Sequence, residues 1–257
     1  MAAKTGIQWT DSTWTIVRGC TRISPGCENC YAERMSSRFS LPGYPFEGVA
    51  RMTRSGPRWT GKLRFVEERL LDPIKWKRPR RIFVNSMSDL FHSRVPLDWI
   101  QRVFEIMLRA PRHIFQVLTK RHERMGDLLP QVRLLDGRRW PDEPAKHIWI
   151  GVSVEDQVRA DERIPVLARS PAAVRFLSVE PLIGPVRLCG LLDGISWVIA
   201  GCESGPGARD MDPDWARQVR DDCVSARVPF FLKQMTLNGK VVGLPELDGK
   251  RWAEYPA

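Results

Sequence analysis

Lysine, tyrosine and histidine are scarce in this chain of 257 residues: nine of its 40 basic residues are lysine, and it holds three tyrosines and four histidines. His92, His113, His122 and His147 show no metal-ligand spacing among themselves, which excludes a histidine-built metal site of the usual pattern. No apolar run approaches the roughly 20 residues of a membrane span. The opening M-A-A-K-T-G-I-Q-W lacks the hydrophobic stretch of a secretory signal, so a cytoplasmic protein without membrane contact is expected. Thiols stay reduced there, and six cysteines do not imply a disulfide framework. The length suits one α/β domain over residues 1–257 with a full core.

What is present in excess is arginine, 31 residues, giving a formal charge of +10 and favouring polyanionic partners. A GC-rich genome would produce part of the same bias. The basic residues crowd residues 40–80, otherwise irregular, where Arg58, Arg64, Arg78 and Arg80 alternate with Trp59, Phe65 and Trp76. Cations interleaved with aromatics are what a DNA or RNA surface uses to neutralise phosphate and stack bases, and equally what a solvated face over buried rings looks like.

Three cysteines, Cys20, Cys27 and Cys30, are spaced C-x6-C-x2-C, with Ser24-Pro25-Gly26 supplying a turn that folds the longer spacer back. Their thiolates can converge on a soft metal centre. A closed zinc site would want a fourth ligand, and Cys189, Cys202 and Cys223 each stand alone. A 4Fe-4S cluster with three protein ligands leaves one iron open for a small molecule. A zinc staple with a scattered fourth ligand and three packed free thiols are the other readings of the same spacing.

The rest of the chain alternates apolar runs with helical periods. T-W-T-I-V-R-G reads as a first strand delivering Cys20, and Y-A-E-R-M-S-S-R-F after Cys30 reads as a helix. Further strands are expected at 81–85, 113–118, 147–152, 174–179, 197–201 and 229–234, with helices at 96–110, roughly 121–135, from Asp156 to Ser170, and 212–227. Six to seven continuous apolar strands joined by helices predict a parallel (β/α) barrel, complete or partial. In such barrels the working residues lie where strands end. Here those ends carry Asn85-Ser86-Met87-Ser88-Asp89, Thr119-Lys120-Arg121, Ser153-Val154-Glu155, Ser178-Val179-Glu180, Gly201-Cys202-Glu203 and Lys233-Gln234, outlining a pocket that faces the cysteine loop.

Taken together, G-I-Q-W-T-D-S-T-W, the cysteine segment, N-S-M-S-D-L-F-H, Q-V-L-T-K-R, G-V-S-V-E, F-L-S-V-E-P-L-I-G-P and W-V-I-A-G-C-E-S-G-P-G-A-R resemble a bacterial and phage-type family of unknown function with radical-SAM-like features. The closing F-F-L-K-Q and L-D-G-K-R-W-A-E-Y-P also match it. The commonest radical SAM signature is C-x3-C-x2-C with an aromatic before the last cysteine; here the spacer is longer and that position is Asn29. The resemblance implies a radical SAM type of barrel, with Cys20, Cys27 and Cys30 ligating a 4Fe-4S cluster and S-adenosylmethionine (SAM) on its open iron. It implies Asn85, Ser86, Ser88 and Asp89 near the methionine end of SAM, Ser153 and Glu155 at the ribose, and Glu180 and Glu203 facing substrate or adenosine. Where the family pattern has a glycine this chain has Cys202, either a hydrogen-atom donor or a tolerated small residue. A ferredoxin or flavodoxin would supply the electron, and the substrate would be a nucleic acid or nucleotide. The alternative is a non-catalytic nucleic-acid-binding protein stapled by zinc or a cluster.

Overall fold

The computed structural model describes residues 5–237 and 239–256. Its centre is an eight-stranded sheet in which every strand neighbours the next in chain order: β1 (Ser12–Trp14), β2 (Arg81–Val84), β3 (Ile114–Thr119), β4 (Ile148–Ser153), β5 (Val174–Val179), β6 (Trp197–Gly201), β7 (Phe230–Leu237) and β8 (Lys240–Gly243). The first seven run parallel, and β8 folds back antiparallel on β7. The sheet curls into a half-barrel with β1 and β8 as its edges.

Helices α1 (Tyr31–Arg38), α2 (Leu97–Leu108), α3 (His122–Leu128), α4 (Gln157–Arg169) and α5 (Pro213–Ala226) supply most of the crossovers. Asp156 caps α4 by accepting the Arg159 N–H at 2.9 Å, and Asp212 caps α5 through the Asp214 N–H at 2.9 Å, as their positions before helical periods predict. The expected helix to residue 135 stops at Leu128 and tightens into a 3-10 turn, Leu129–Gln131, because Pro130 has no N–H to continue the ladder.

Side chains alternate across the strands, so the sheet makes two cores. Ile82, Phe115, Ile150, Leu177, Val198 and Leu232 point outward and pack with Ile100, Val103 and Phe104 of α2, Ile164 and Leu167 of α4 and Val219 of α5. The inner face carries a layer of rings, Phe83, Trp149, Phe176, Trp197 and Phe231, joined by Trp9 from the segment before β1 and by Tyr255 from the C-terminal end. Trp9 lies 4.8 Å from Phe83 and Tyr255 lies 5.1 Å from Trp197, centroid to centroid, so both termini close one end of the half-barrel. Gly151 makes room for this layer: a Cβ there would stand 2.6 Å from the Phe176 ring.

Two further expectations are corrected. The opening run is not one strand: β1 ends at Trp14, the Asn85 carboxamide oxygen takes the N–H groups of Ile16 and Val17 at 3.0 and 2.9 Å, and Val17–Arg18 pairs antiparallel with Arg64–Phe65 outside the main sheet. Residues 40–80 are also more ordered than composition suggests, with a hairpin of Ala50–Thr53 and Gly56–Trp59 and a single helical turn, Asp72–Lys75.

Candidate functional site

The C-terminal ends of the strands open into a cavity of about 1140 Å³ including its mouth. Cys20, Cys27 and Cys30 all line it, as do Asn85, Ser86, Ser88, Ser153, Ser178, Glu180, Cys202, Glu203 and Lys233, so the polar strand ends do face the cysteine loop. Trp9 and Phe83 form its apolar floor, and Tyr31 and Trp59 stand in its wall from the α1 side.

The cysteine loop is held at nearly every residue between its thiols. Ser24-Pro25-Gly26 makes the expected turn, a 3-10 turn over Pro25–Cys27 closed by the Cys27 N–H on the Ser24 carbonyl at 2.9 Å. The Thr21 carbonyl accepts from Arg121 at 2.8 Å, and Arg121 is itself fixed by Asp89 at 2.9 Å. Arg22 pairs with buried Glu33, whose other oxygen takes the Trp59 N–H at 2.7 Å. Ser24 donates to Glu155, and Gly26 lies so close above that a Cβ would stand 3.1 Å from the Glu155 carboxylate. The Pro25 carbonyl accepts from Arg209 at 2.9 Å, while Asn29 donates at 2.8 Å to Glu203, the partner of Arg209.

These contacts engage three expected ligand residues, of which Asp89 and Glu203 also line the cavity. Asp89 is buried and spends its carboxylate on Arg121, the Thr119 hydroxyl at 2.7 Å and two backbone N–H groups. Glu155 has no exposed side-chain surface and is enclosed by Arg163 at 2.8 Å, Lys120 at 3.7 Å and Ser24, so it cannot reach a ribose in the cavity. Burial alone would raise its carboxyl; Lys120 and Arg163, with the Ser24 hydroxyl, outweigh that and hold it below the ordinary carboxylate range. Glu203 is likewise held low, burial being outweighed by Arg209 and Asn29. All three support the loop. Ser88 lines the cavity with its hydroxyl committed to the Val17 carbonyl at 2.7 Å, and the Ser86 carbonyl accepts the Tyr31 hydroxyl at 2.8 Å. The buried Asn85 amide nitrogen has no partner among the described residues. Glu180 forms an ion pair with Lys233 in the wall.

The four arginines expected on one nucleic-acid surface do not share one. Arg78 and Arg80 precede β2 and therefore lie at the opposite end of the sheet from the cavity, where Arg80 stacks 5.3 Å from Trp76. Arg64 is turned onto the Pro45 carbonyl, and Arg58 onto the Pro57 carbonyl at 2.8 Å.

Burial pushes the Cys20 thiol up to about 12, with Asp89, Cys30 and Cys27 adding to it and Arg121 opposing. Cys30 is raised by burial too, against the backbone N–H groups of Glu33 and Ala32 in the first turn of α1. Such N–H groups favour an anion, as thiolate or as cluster. Cys202 is buried, its thiol raised by burial against the Thr236 hydroxyl. Among the described residues no three His, Cys, Asp or Glu side chains are grouped to hold one ion. A cubane asks for something else, because its three ligands bind three different irons and border a space rather than a point. Three thiols around one cavity, backed by helix N–H groups and by Lys120 and Arg121, fit that demand.

Sequence reasoning placed Arg121 at a polar strand end without its role as the partner of Asp89, and gave no role to Arg163 and Arg209, the partners of Glu155 and Glu203. Arg163 alone leaves a local signal, a charge on the buried stripe Ala160, Ile164, Leu167 of α4.

Among the described residues no helix is long and apolar enough to cross a membrane. No curated protein matches the chain by sequence. Of solved structures, a point mutant of spore photoproduct lyase is similar with a TM-score of 0.52 at 10% identity, covering 92% of this chain and 79% of that one. A second mutant of the lyase gives 0.47 at 12% identity, over 86% of this chain and 63% of that one. Likeness at such identity is likeness of fold. The model of one family, described as a protein of unknown function (DUF5131), matches residues 4–256, and the chain belongs to that family.

Proposed function

We propose that this protein is a radical SAM enzyme, in which Cys20, Cys27 and Cys30 hold a 4Fe-4S cluster and SAM takes its open iron. The reading is carried by one observation: three cysteines of a single pinned loop border one cavity together with the polar ends of the parallel strands. The fold shared with spore photoproduct lyase supports it. When bound, the pair supplies reductive cleavage of SAM to methionine and a 5′-deoxyadenosyl radical that removes a hydrogen atom from substrate.

The chain's own residues do the rest. The unpartnered Asn85 amide nitrogen and the Ser86 segment offer hydrogen bonds at the amino-acid end of SAM. The Lys120 ammonium lies on the same wall and neutralises a carboxylate there. Ser153 and Ser178 present hydroxyls to the ribose, and the Glu180–Lys233 pair faces the substrate. Trp9 and Phe83 keep water from the floor. Cys202 holds its thiol protonated in the wall, the form required to return a hydrogen atom. A ferredoxin or flavodoxin supplies the electron.

The test is anaerobic purification with iron, sulfide and zinc quantified together, an EPR spectrum of the reduced protein with and without SAM, and detection of 5′-deoxyadenosine. Iron and sulfide near four per chain, with a signal that changes on adding SAM, are expected. Serine at Cys20, Cys27 or Cys30 should abolish iron retention. Stoichiometric zinc that survives cluster reconstitution, with no response to SAM, would refute the proposal.

A further inference from the structure

The outer face of α1 is apolar where a surface helix is normally polar. Tyr31, Met35 and Phe39 follow one another at helical spacing and are 46%, 43% and 40% exposed. The stripe continues onto the loop after α1, where Phe39 lies 6.2 Å from the exposed ring of Tyr44. This loop is built rather than loose: the Phe46 N–H bonds the Phe39 carbonyl at 3.0 Å, the Gly48 N–H bonds the Ser40 carbonyl at 3.3 Å, and the Glu47 carboxylate takes the Gly43 N–H at 2.9 Å. Rings held at the surface by a closed loop forgo the burial that stabilises most aromatics, and a contiguous exposed patch of them marks an interaction site.

The charge on this face has one sign. Arg38 on α1 and Arg51 and Arg54 on the neighbouring hairpin are exposed, and among the described residues none of them has a hydrogen-bonding or ionic side-chain partner. Across residues 31–54 the acids are Glu33, buried on Arg22, and Glu47, spent on the loop. The face is also continuous with the cavity, because Tyr31 belongs to both and Trp59 of the same hairpin lines the wall.

We propose that the α1 face and the 39–54 segment form a track for single-stranded nucleic acid that leads one nucleotide past Tyr31 and Trp59 into the cavity. Arginines of one sign match a phosphate chain along its length, and exposed rings stack on bases only where base faces are free, which selects single strands over duplex. The track adjoins Arg58, opposite Arg51 in the hairpin, and Arg64, bonded to the Pro45 carbonyl, and departs from the basic positions read from sequence at Arg78 and Arg80, which lie at the far end of the sheet. The inference deepens the radical SAM reading by naming its substrate class, and rests on that reading only for the chemistry.

The experiment is fluorescence anisotropy of one labelled mixed-sequence oligonucleotide, as single-stranded RNA, single-stranded DNA and DNA duplex, with the cluster-loaded full chain across a range of salt. Either single strand should bind more tightly than the duplex, and comparing the two assigns RNA or DNA. Replacing Arg38, Arg51 and Arg54 together by alanine should lower the slope of log affinity against log salt by about 2, at ~0.7 per phosphate contact for single strands. Tyr44→Ala should weaken binding about ten-fold with the slope unchanged. Lys77→Ala with Arg78→Ala, exposed at the opposite end, should change neither. Affinity retained in the arginine variant or in Tyr44→Ala, loss in the Lys77/Arg78 variant, or preference for duplex overturns the track. No binding by the unmodified protein also overturns it and reassigns the face to a protein partner. Binding needs no radical chemistry, and release of 5′-deoxyadenosine from SAM alone needs no nucleic acid, so each reading fails by its own assay.

Discussion

Arg163→Met isolates the buried charge beneath the cysteine loop. Arg163 and Glu155 are 2% and 0% exposed and meet at 2.8 Å, so removing the guanidinium strands a carboxylate with no route to water. Breaking a buried pair by deleting one partner costs about 3–5 kcal/mol. Lys120 remains 3.7 Å from the same carboxylate and covers part of the charge, which places the loss near the lower bound, about 3 kcal/mol. For a chain of this size that is a fall in Tm of about 6–12 °C. Urea unfolding followed by tryptophan fluorescence reads the free energy directly, and ten tryptophans make the signal strong. The double variant Glu155→Gln with Arg163→Met carries no stranded charge, keeps an acceptor for Ser24, and should recover at least half of the loss. Iron retention should fall in the single variant, because Glu155 anchors the loop through Ser24. A single variant within about 1 kcal/mol of the unmodified protein, or a double variant whose loss equals the sum of both single losses, would refute the pairing as the loop's support.

Gly151→Ala should destabilise by about 1–3 kcal/mol, since the new methyl enters the Phe176 ring; an unchanged urea midpoint would mean that the inner ring layer is loosely packed. His92 accepts the Arg94 N–H on Nδ1 at 3.1 Å and contacts the Thr21 hydroxyl through Nε2 at 2.9 Å, and burial, followed by Arg121, pushes its pKa down to about 4. The unfolded chain titrates this group near 6.5, so between those values the unfolded state binds the extra proton, and stability present above pH ~6.5 is lost as pH falls toward 4. His92→Gln should lessen the pH dependence of the urea midpoint over that interval, the rest coming from His113, His122 and His147, which burial also pushes down, and an unchanged pH profile in the variant would rule out His92 as a source.

Much of the sheet is legible in the sequence because its strands are covered on both faces and read as unbroken apolar runs, from Arg81–Val84 to the start of β7. Three features are not. The break after Trp14 is imposed by Asn85, about seventy residues downstream in the chain, which takes two N–H groups that a longer strand would have given to a neighbour. Strand β8 is four exposed residues that pair, among the described residues, with β7 alone, too short for periodicity to register. The ribbons within residues 40–80 are held by side chains such as Glu33 on the Trp59 N–H, which composition cannot show. For the site, cysteine spacing points to a metal centre because ligand geometry is local. The carboxylates Asp89, Glu155 and Glu203 are visible as polar strand ends, but whether a carboxylate meets a ligand or a guanidinium depends on which arginine the fold brings to it.

The ring layer at the base of the half-barrel has a consequence for traffic. With Trp9, Trp197 and Tyr255 stopping one end, the cavity is a blind alley. A strand lying across the α1 rim, as proposed, would cover the smaller molecule beneath it. On that proposal loading would run small before large, and unloading would reverse it.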